Sequence, residues 1–324
     1  MPNPSEPFPC AIYIREVGRG ARGARGLGRD DAYAVYGAVL ANRISDLELG
    51  ALLLAYRIKG ETPQELAGML DAVHTTIDRL SSPVGTPVVI PSYNGARRRP
   101  NLVPLLALLL SKRGIPVFIH GVLNEPGRTT TAEILAELGI QPAPDARSIE
   151  GLLGRSRLAF ASIDVLAPAL ARQLALRQVL GVRNSAHTLA KMLQPFGQPA
   201  LRLVNYTHPA YRETLADYFS QPGMAGPIGV LLSRGTEGEA VADAELAREA
   251  LWLYDQGRET LIDATEKENR DSPVLPESHD AATTARWTEE VVAGNIPVPK
   301  AIIAQINAIV RITTQDLSQE SMQP

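Results

Sequence analysis

With 324 residues, 45% of them hydrophobic, and a formal net charge of −3, the chain can bury a sizeable core, most readily in two domains. A single cysteine, Cys10, excludes a disulfide framework within the chain and fits a reducing, cytoplasmic compartment. The longest purely apolar run, residues 105–110, falls far short of the roughly 20 residues a membrane helix needs. The N-terminus MPNPSEPFPCAIYI lacks the basic and apolar regions of a signal peptide, so a soluble protein without a membrane partner is expected.

The first 80 residues read as helical. RDDAYAVYGAVLA opens with acidic residues suited to a helix N-terminus. SDLELGALLLAYRIKG has Ser45 as N-cap, Glu48 at capping-box spacing and Gly60 as a stop. TPQELAGMLDAVHTTID offers Thr62 as cap and Pro63 at the first helical position. From about residue 84 strands and helices alternate. Strands are expected at 87–90, 116–120, 158–162, 200–204, 228–233 and 259–263, and helical runs at 101–113, 130–138 and 243–254. Leu/Ala-rich helices at 164–195 interrupt this rhythm and are expected to pack on the N-terminal helices. The expected fold is therefore α/β. It has a small all-helical domain (1–80, completed by 164–195) and a larger α/β domain (81–163 and 196–324) with a mixed, mostly parallel sheet.

Charge is unevenly distributed. Residues 1–230 hold 24 Lys and Arg against 18 Asp and Glu, a surplus of +6, whereas residues 231–324 hold 8 against 17, a deficit of −9. Two basic segments stand out. GRGARGARGLGRD interleaves Arg19, Arg22, Arg25 and Arg29 with glycine, a loop able to drape along a phosphate backbone. VVIPSYNGARRRPN runs from a β-branched stretch through a turn into an apolar helix, the geometry of an anion site, and places Arg97, Arg98 and Arg99 at its mouth. Tyr93 could stack on a base or ribose. His74, His120, His187, His208 and His279 show no metal-ligand spacing, so neither a metal nor a cofactor is expected.

ISDLELGALLLAYRIKGETPQELAGML resembles the helical start of the anthranilate phosphoribosyltransferase family, glycosyl transferase family 3. The resemblance continues through 87–113, His120–Gly121, ELGI at 137–140 and RQVLGVRNSAHTLAKMLQP at 177–195, and so covers nearly the whole chain. It implies a phosphoribosyl diphosphate site between the two domains and homodimers formed through the helical domain. The family's functional motifs are altered here. Its Gly-Thr-Gly-Gly-Asp loop becomes PSYNGA, containing Ser92, Tyr93, Asn94 and Gly95; Asn101 is kept, but the Ser-Thr pair after it is Val103 and Pro104. In its Lys-His-Gly-Asn-Arg motif, His120 and Gly121 remain, with Ile119 for the lysine and Val122 and Leu123 for the Asn-Arg. The Ser-rich phosphate loop becomes NEPGRTTT, retaining related chemistry in Arg128, Thr129 and Thr130. Arg183 matches the arginine associated with anthranilate, with His187 in place of an asparagine, and the Asp-Glu pair that holds magnesium becomes TEGE, leaving Glu237 beside Gly238.

A Mg²⁺-dependent diphosphate chemistry needs several carboxylates and dense donors, which these changes remove. PSYNGARRRPN together with SRGTEGE resembles instead the YbiB-like branch of the family, whose members look like phosphoribosyltransferases but are regarded as sequence-tolerant nucleic-acid-binding homodimers. The expectation is a non-catalytic binder of single- or double-stranded nucleic acid, with the residues from Ser92 to Glu237 named above as a vestigial pocket. The alternative is a phosphoribosyltransferase with a divergent acceptor, using phosphoribosyl diphosphate near residues 92–95, Asn101 and Glu237.

Overall fold

The computed structural model describes residues 7–20, 23–266 and 272–320. In chain order the elements begin with α1 (Ala11–Val17), α2 (Arg29–Leu40), α3 (Asp46–Lys59) and α4 (Pro63–His74). Next come β1 (Val88–Ser92), α5 (Val103–Ser111), β2 (Val117–Gly121), α6 (Thr131–Glu137), α7 (Ala146–Ser156), β3 (Leu158–Ser162) and α8 (Ile163–Leu166). The short helices α9 (Pro168–Ala175), α10 (Arg177–Leu180) and α11 (Ala186–Leu189) follow. The chain ends with β4 (Leu201–Tyr206), α12 (Pro209–Phe219), β5 (Val230–Arg234), β6 (Ala250–Tyr254), β7 (Gly257–Ile262), α13 (Ala281–Ala293) and α14 (Lys300–Glu320).

Two compact units result, one of Met1–Asp78 with Ala167–Pro195 and one of Arg79–Leu166 with Phe196–Pro324. The helical unit is organised by its caps. Ser45 and Glu48 close a capping box on α3, and Thr62 and Glu65 close another on α4. Glu65 is fully buried and does more than cap: it accepts the Leu27 and Thr62 N–H groups and pairs with Lys59 Nζ at 2.7 Å. One carboxylate thereby anchors the Arg/Gly loop, the end of α3 and the start of α4. Helices α2 and α4 approach closely at Gly68, where a Cβ would collide with the Arg29 carbonyl oxygen.

The second unit is built on one seven-stranded sheet of order β3-β2-β1-β4-β5-β6-β7. Strands β1 to β5 are parallel to their neighbours, and β6 and β7 are added antiparallel, so the sheet is mixed and mostly parallel. The fully buried strands β1, β2 and β3 read as continuous apolar runs, as parallel strands covered on both faces do. Leu105, Leu106 and Leu110 of α5 pack in one core with Trp287 and Val291 of α13 and Ile302, Ile306 and Ile309 of α14.

One segment departs from the sequence expectation. Residues 243–254 do not form a helix: 250–254 are strand β6, paired antiparallel with β5 through Val230↔Leu253 and Leu232↔Leu251. The Ala- and Glu-rich stretch has helical propensity, but Leu251 and Leu253 alternate with half-buried Trp252 and Tyr254, and that period-two pattern prevails once a sheet edge is available. The C-terminal helices α13 and α14 had no sequence expectation.

Strand β1 occupies the point where strand order reverses, with β2 and β3 on one side and β4 and β5 on the other. Its pairing with β4 is limited to Val88↔Leu201 and Val89↔Arg202, whereas its pairing with β2 runs through Ser92. The C-terminal end of β1 thus opens at a topological switch point, where open α/β sheets place their ligand sites.

Candidate nucleic-acid interface at the arginine turn

The turn after β1 has the backbone of an anion cradle. Gly95 has φ +62°, which lets successive N–H groups converge, and a Cβ there would lie 3.0 Å from the Thr129 carbonyl oxygen. The cradle is occupied by the chain itself. Glu239, fully buried, accepts the Asn94 N–H at 2.8 Å and the Gly95 N–H at 2.6 Å on a single carboxylate oxygen. Glu237 accepts the Arg97 N–H at 2.6 Å and the Arg98 N–H at 2.9 Å, one on each oxygen. The Asn94 and Asn205 side chains both donate to the Gly238 carbonyl at 2.6 Å. Gly238 has φ +94°, and a Cβ on it would collide with the Asn94 amide nitrogen.

The expected vestigial pocket is therefore a closed polar cluster. Ser92 donates to the Thr131 hydroxyl at 2.8 Å, and Asn101 donates to the same hydroxyl at 3.0 Å while accepting the Val103 N–H. Tyr93 and His120 are joined at 2.5 Å between the phenol oxygen and Nδ1, both fully buried. Burial holds His120 down to about 3 and pushes Tyr93 well above the ordinary phenol range, with Glu239 and Asp164 adding to the latter. Both are neutral at any ordinary pH. Gly121 lies tight against the Ser92 carbonyl, and Thr130 is spent as the N-cap of α6, bonded to Glu133. Thr129 and Ala96 form an antiparallel bridge, over which Arg128 donates to the Gly95 carbonyl at 3.1 Å and lies 3.9 Å from Glu237. Arg183 belongs to the helical unit, where burial, followed by Arg183, Arg177 and Lys191, holds His187 down to about 4.

A diphosphate with its magnesium does not fit these residues. The N–H groups that would cradle it are bonded to Glu239 and Glu237, the Ser92 hydroxyl is bonded to Thr131 and that of Thr130 to Glu133 and the Leu123 carbonyl, and both carboxylates of the TEGE segment are turned onto backbone amides. Among the described residues, no group of three or more His, Cys, Asp or Glu is placed to hold a metal ion.

The arginines divide into two sets. Arg97 and Arg98 are exposed, and among the described residues their side chains make no ion pair. Arg25 is likewise exposed, its N–H bonded to the Glu16 carbonyl. Arg99 is half-buried and bound at 2.7 Å to Asp243 and at 3.1 Å to Glu245. Arg19 pairs with Glu16 and Arg29 bidentately with Asp71, both as solvent-exposed ion pairs. Arg22 lies outside the described residues. Sequence reasoning missed Glu239, Asp243, Glu245, Asn205 and Thr131; the only local signal was a second glutamate two positions after Glu237.

Comparison with known proteins agrees with this architecture. Residues 12–76 match the model of the glycosyl transferase family helical bundle domain. The chain is 40% identical to the uncharacterized protein YbiB of Escherichia coli (strain K12) over 90% of its own length and 91% of that protein's. It is 27% identical to an anthranilate phosphoribosyltransferase of Desulfitobacterium hafniense (strain Y51), over 72% of this chain and 66% of that one. Among solved structures, the anthranilate phosphoribosyltransferase of Thermus thermophilus superposes with a TM-score of 0.71 at 20% identity, covering 93% of this chain and 89% of the other. The Saccharomyces cerevisiae enzyme in complex with PRPP and Mg gives the same TM-score of 0.71 at 14% identity, over 94% and 89%. The fold, the helical bundle domain and the YbiB similarity agree: the chain belongs to the YbiB-like branch of the anthranilate phosphoribosyltransferase family, glycosyl transferase family 3.

Proposed function

We propose that this protein is a non-catalytic, sequence-tolerant nucleic-acid-binding homodimer. The observation that supports it best is the exchange at the β1 turn. The backbone donors that would serve a small phosphorylated substrate are bonded to Glu239 and Glu237, while the side chains of Arg97 and Arg98 project from the same turn into solvent. An open cavity of about 650 Å³ lies beside Arg97 and Arg128, with Glu125, Glu133 and Asp280 also on its walls. Arg97, Arg98 and Arg25 supply three unpaired cations per protomer, hence six in a dimer.

The test is fluorescence anisotropy with a labelled single-stranded oligonucleotide across a salt series. Each contact on a single strand contributes a log–log slope of about −0.7, so six contacts give about −4 and a loss of two to three decades in affinity between 50 and 200 mM salt. No binding at 50 mM salt rejects the proposal. The competing phosphoribosyltransferase activity, favoured by the similarity to named enzymes, predicts saturable, Mg²⁺-dependent heat on titration with phosphoribosyl diphosphate. The expected result is none.

The dimer is supported by an unpartnered apolar stripe. On α3, Leu47, Leu54 and Ile58 recur at seven and four residues and are 85%, 42% and 73% exposed. Light scattering of the wild type at micromolar concentration should give a dimer, and L47D/I58D should give a monomer with an unchanged circular dichroism spectrum. A monomeric wild type removes the dimer from the proposal and halves the contact number.

A further inference from the structure

The third arginine of the turn is not placed like the other two. Arg99 lies between Asp243 Oδ1 and Glu245 Oε2, two carboxylate oxygens on opposite ends of one guanidinium, much as a phosphodiester would engage it. Asp243 is itself fixed: its Oδ1 also accepts the Glu245 N–H at 3.1 Å, and its second oxygen lies 3.9 Å from Arg248. Arg99 and Glu245 are each 32% exposed and Asp243 13%, so the pair is reachable from solvent without unfolding. These residues come from the acidic 231–324 part of the chain and are set beside the exposed Arg97 and Arg98.

We propose that Asp243 and Glu245 are an internal competitor for nucleic-acid phosphate: they hold Arg99 in a self-neutralised state and cap the affinity of the arginine turn. This inference rests on the proposed nucleic-acid binding at Arg97 and Arg98. It makes the turn a graded contact, with two arginines always presented and a third available only to a polyanion dense enough to displace both carboxylates. Because the internal pair and the phosphate contact are both ionic and partly exposed, rising salt weakens the two together. The competition is therefore most visible at low salt.

The experiment is a double-mutant cycle by anisotropy with the same single-stranded oligonucleotide, using wild type, R99A, D243N/E245Q and R99A/D243N/E245Q. A fifth protein, E213Q/D217N, changes net charge equally at two exposed carboxylates on α12. Releasing Arg99 in both protomers adds two single-strand contacts, a slope of about −1.4 in all, which corresponds to roughly a 65-fold gain at 50 mM salt. D243N/E245Q should therefore bind roughly 65-fold more tightly with a steeper slope, R99A should bind like wild type, and the triple variant should lose the gain. Thermal melts of all five establish that each is folded at the assay temperature. If the gain persists without Arg99, or E213Q/D217N gives it equally, the effect is a long-range field and the proposal fails. It also fails if R99A alone weakens binding, because Arg99 would then already be engaged. Absence of binding by every protein in the set overturns the nucleic-acid function as well, whereas tight wild-type binding with no change in D243N/E245Q overturns only the competition.

Discussion

Replacing Arg97 and Arg98 together by alanine should cost about three and a half decades of affinity for single-stranded nucleic acid at 50 mM salt and flatten the log–log slope from about −4 to about −1.4. The arithmetic follows from four lost contacts in a dimer, leaving the two from Arg25. Fold stability should be nearly unchanged, since surface substitutions away from buried features usually stay within about 0.5 kcal/mol. Alanine also keeps the backbone N–H groups that Glu237 holds, so the turn itself remains set. Lysine at both positions should hurt less, because the point charge survives while the bidentate fork is lost. Anisotropy across a salt series, with urea unfolding as the stability control, measures both halves. An unchanged slope in the double alanine variant would remove the arginine turn from the interface.

Acid should destabilise the fold before most carboxylates titrate. His120 is fully buried and neutral, held at about 3 by burial, against an ordinary value near 6.5. Below pH 6.5 the unfolded chain takes up a proton at this residue that the folded chain refuses, so the unfolded state binds more protons. Stability contributed by His120 is thus fully present above 6.5 and is lost as pH falls toward 3, at about 1.4 kcal/mol per pH unit. Between pH 6.5 and 5 this amounts to about 2 kcal/mol. His187, held at about 4 by burial and by Arg183, Arg177 and Lys191, acts in the same direction. Urea unfolding at pH 7, 6 and 5 should show the midpoint falling. His120→Asn should lower stability at pH 7, because the Tyr93 hydroxyl loses its partner, and should make the fall with pH shallower. A midpoint that does not move with pH between 7 and 5 would contradict a neutral, buried His120.

The elements whose determinants are local were legible in the sequence. Ser45 with Glu48, and Thr62 with Pro63 and Glu65, mark helix starts because a cap and its reciprocal partner sit three residues apart, and both boxes are formed. Strands β1, β2 and β3 are short β-branched or apolar runs, the first two bounded by Pro and Gly, and they fall within two residues of expectation at either end. The α/β class followed from their alternation with helices. The 243–254 segment failed because helical propensity was weighed without the sheet edge that β5 offers. At the site, Ser92 and Asn101 meet at Thr131 and Tyr93 meets His120, whereas Arg183 belongs to the helical unit; the bonded state of these groups is not written in the motifs. Whether Thr130 faces a ligand or caps α6 depends on Glu133, three residues on, with which it closes a capping box. The roles of Glu239, Asp243 and Glu245 could not be seen, since each meets its partner more than 140 positions away.

That separation bears on how the protein is made. At roughly 5–20 residues per second, residues 94–99 leave the ribosome roughly seven to thirty seconds before the carboxylates of 237–245 exist. During that interval the backbone amides later bonded to Glu237 and Glu239 have no native acceptor, and Arg99 has no native counter-ion. The emerging chain is more cationic than the finished one, since residues 1–230 carry a surplus of +6 and the whole chain a net −3. Translation of residues 237–245 is therefore the step at which these amides and Arg99 gain their native partners. A chain interrupted before that point would carry the basic turn without the acidic segment that shapes it.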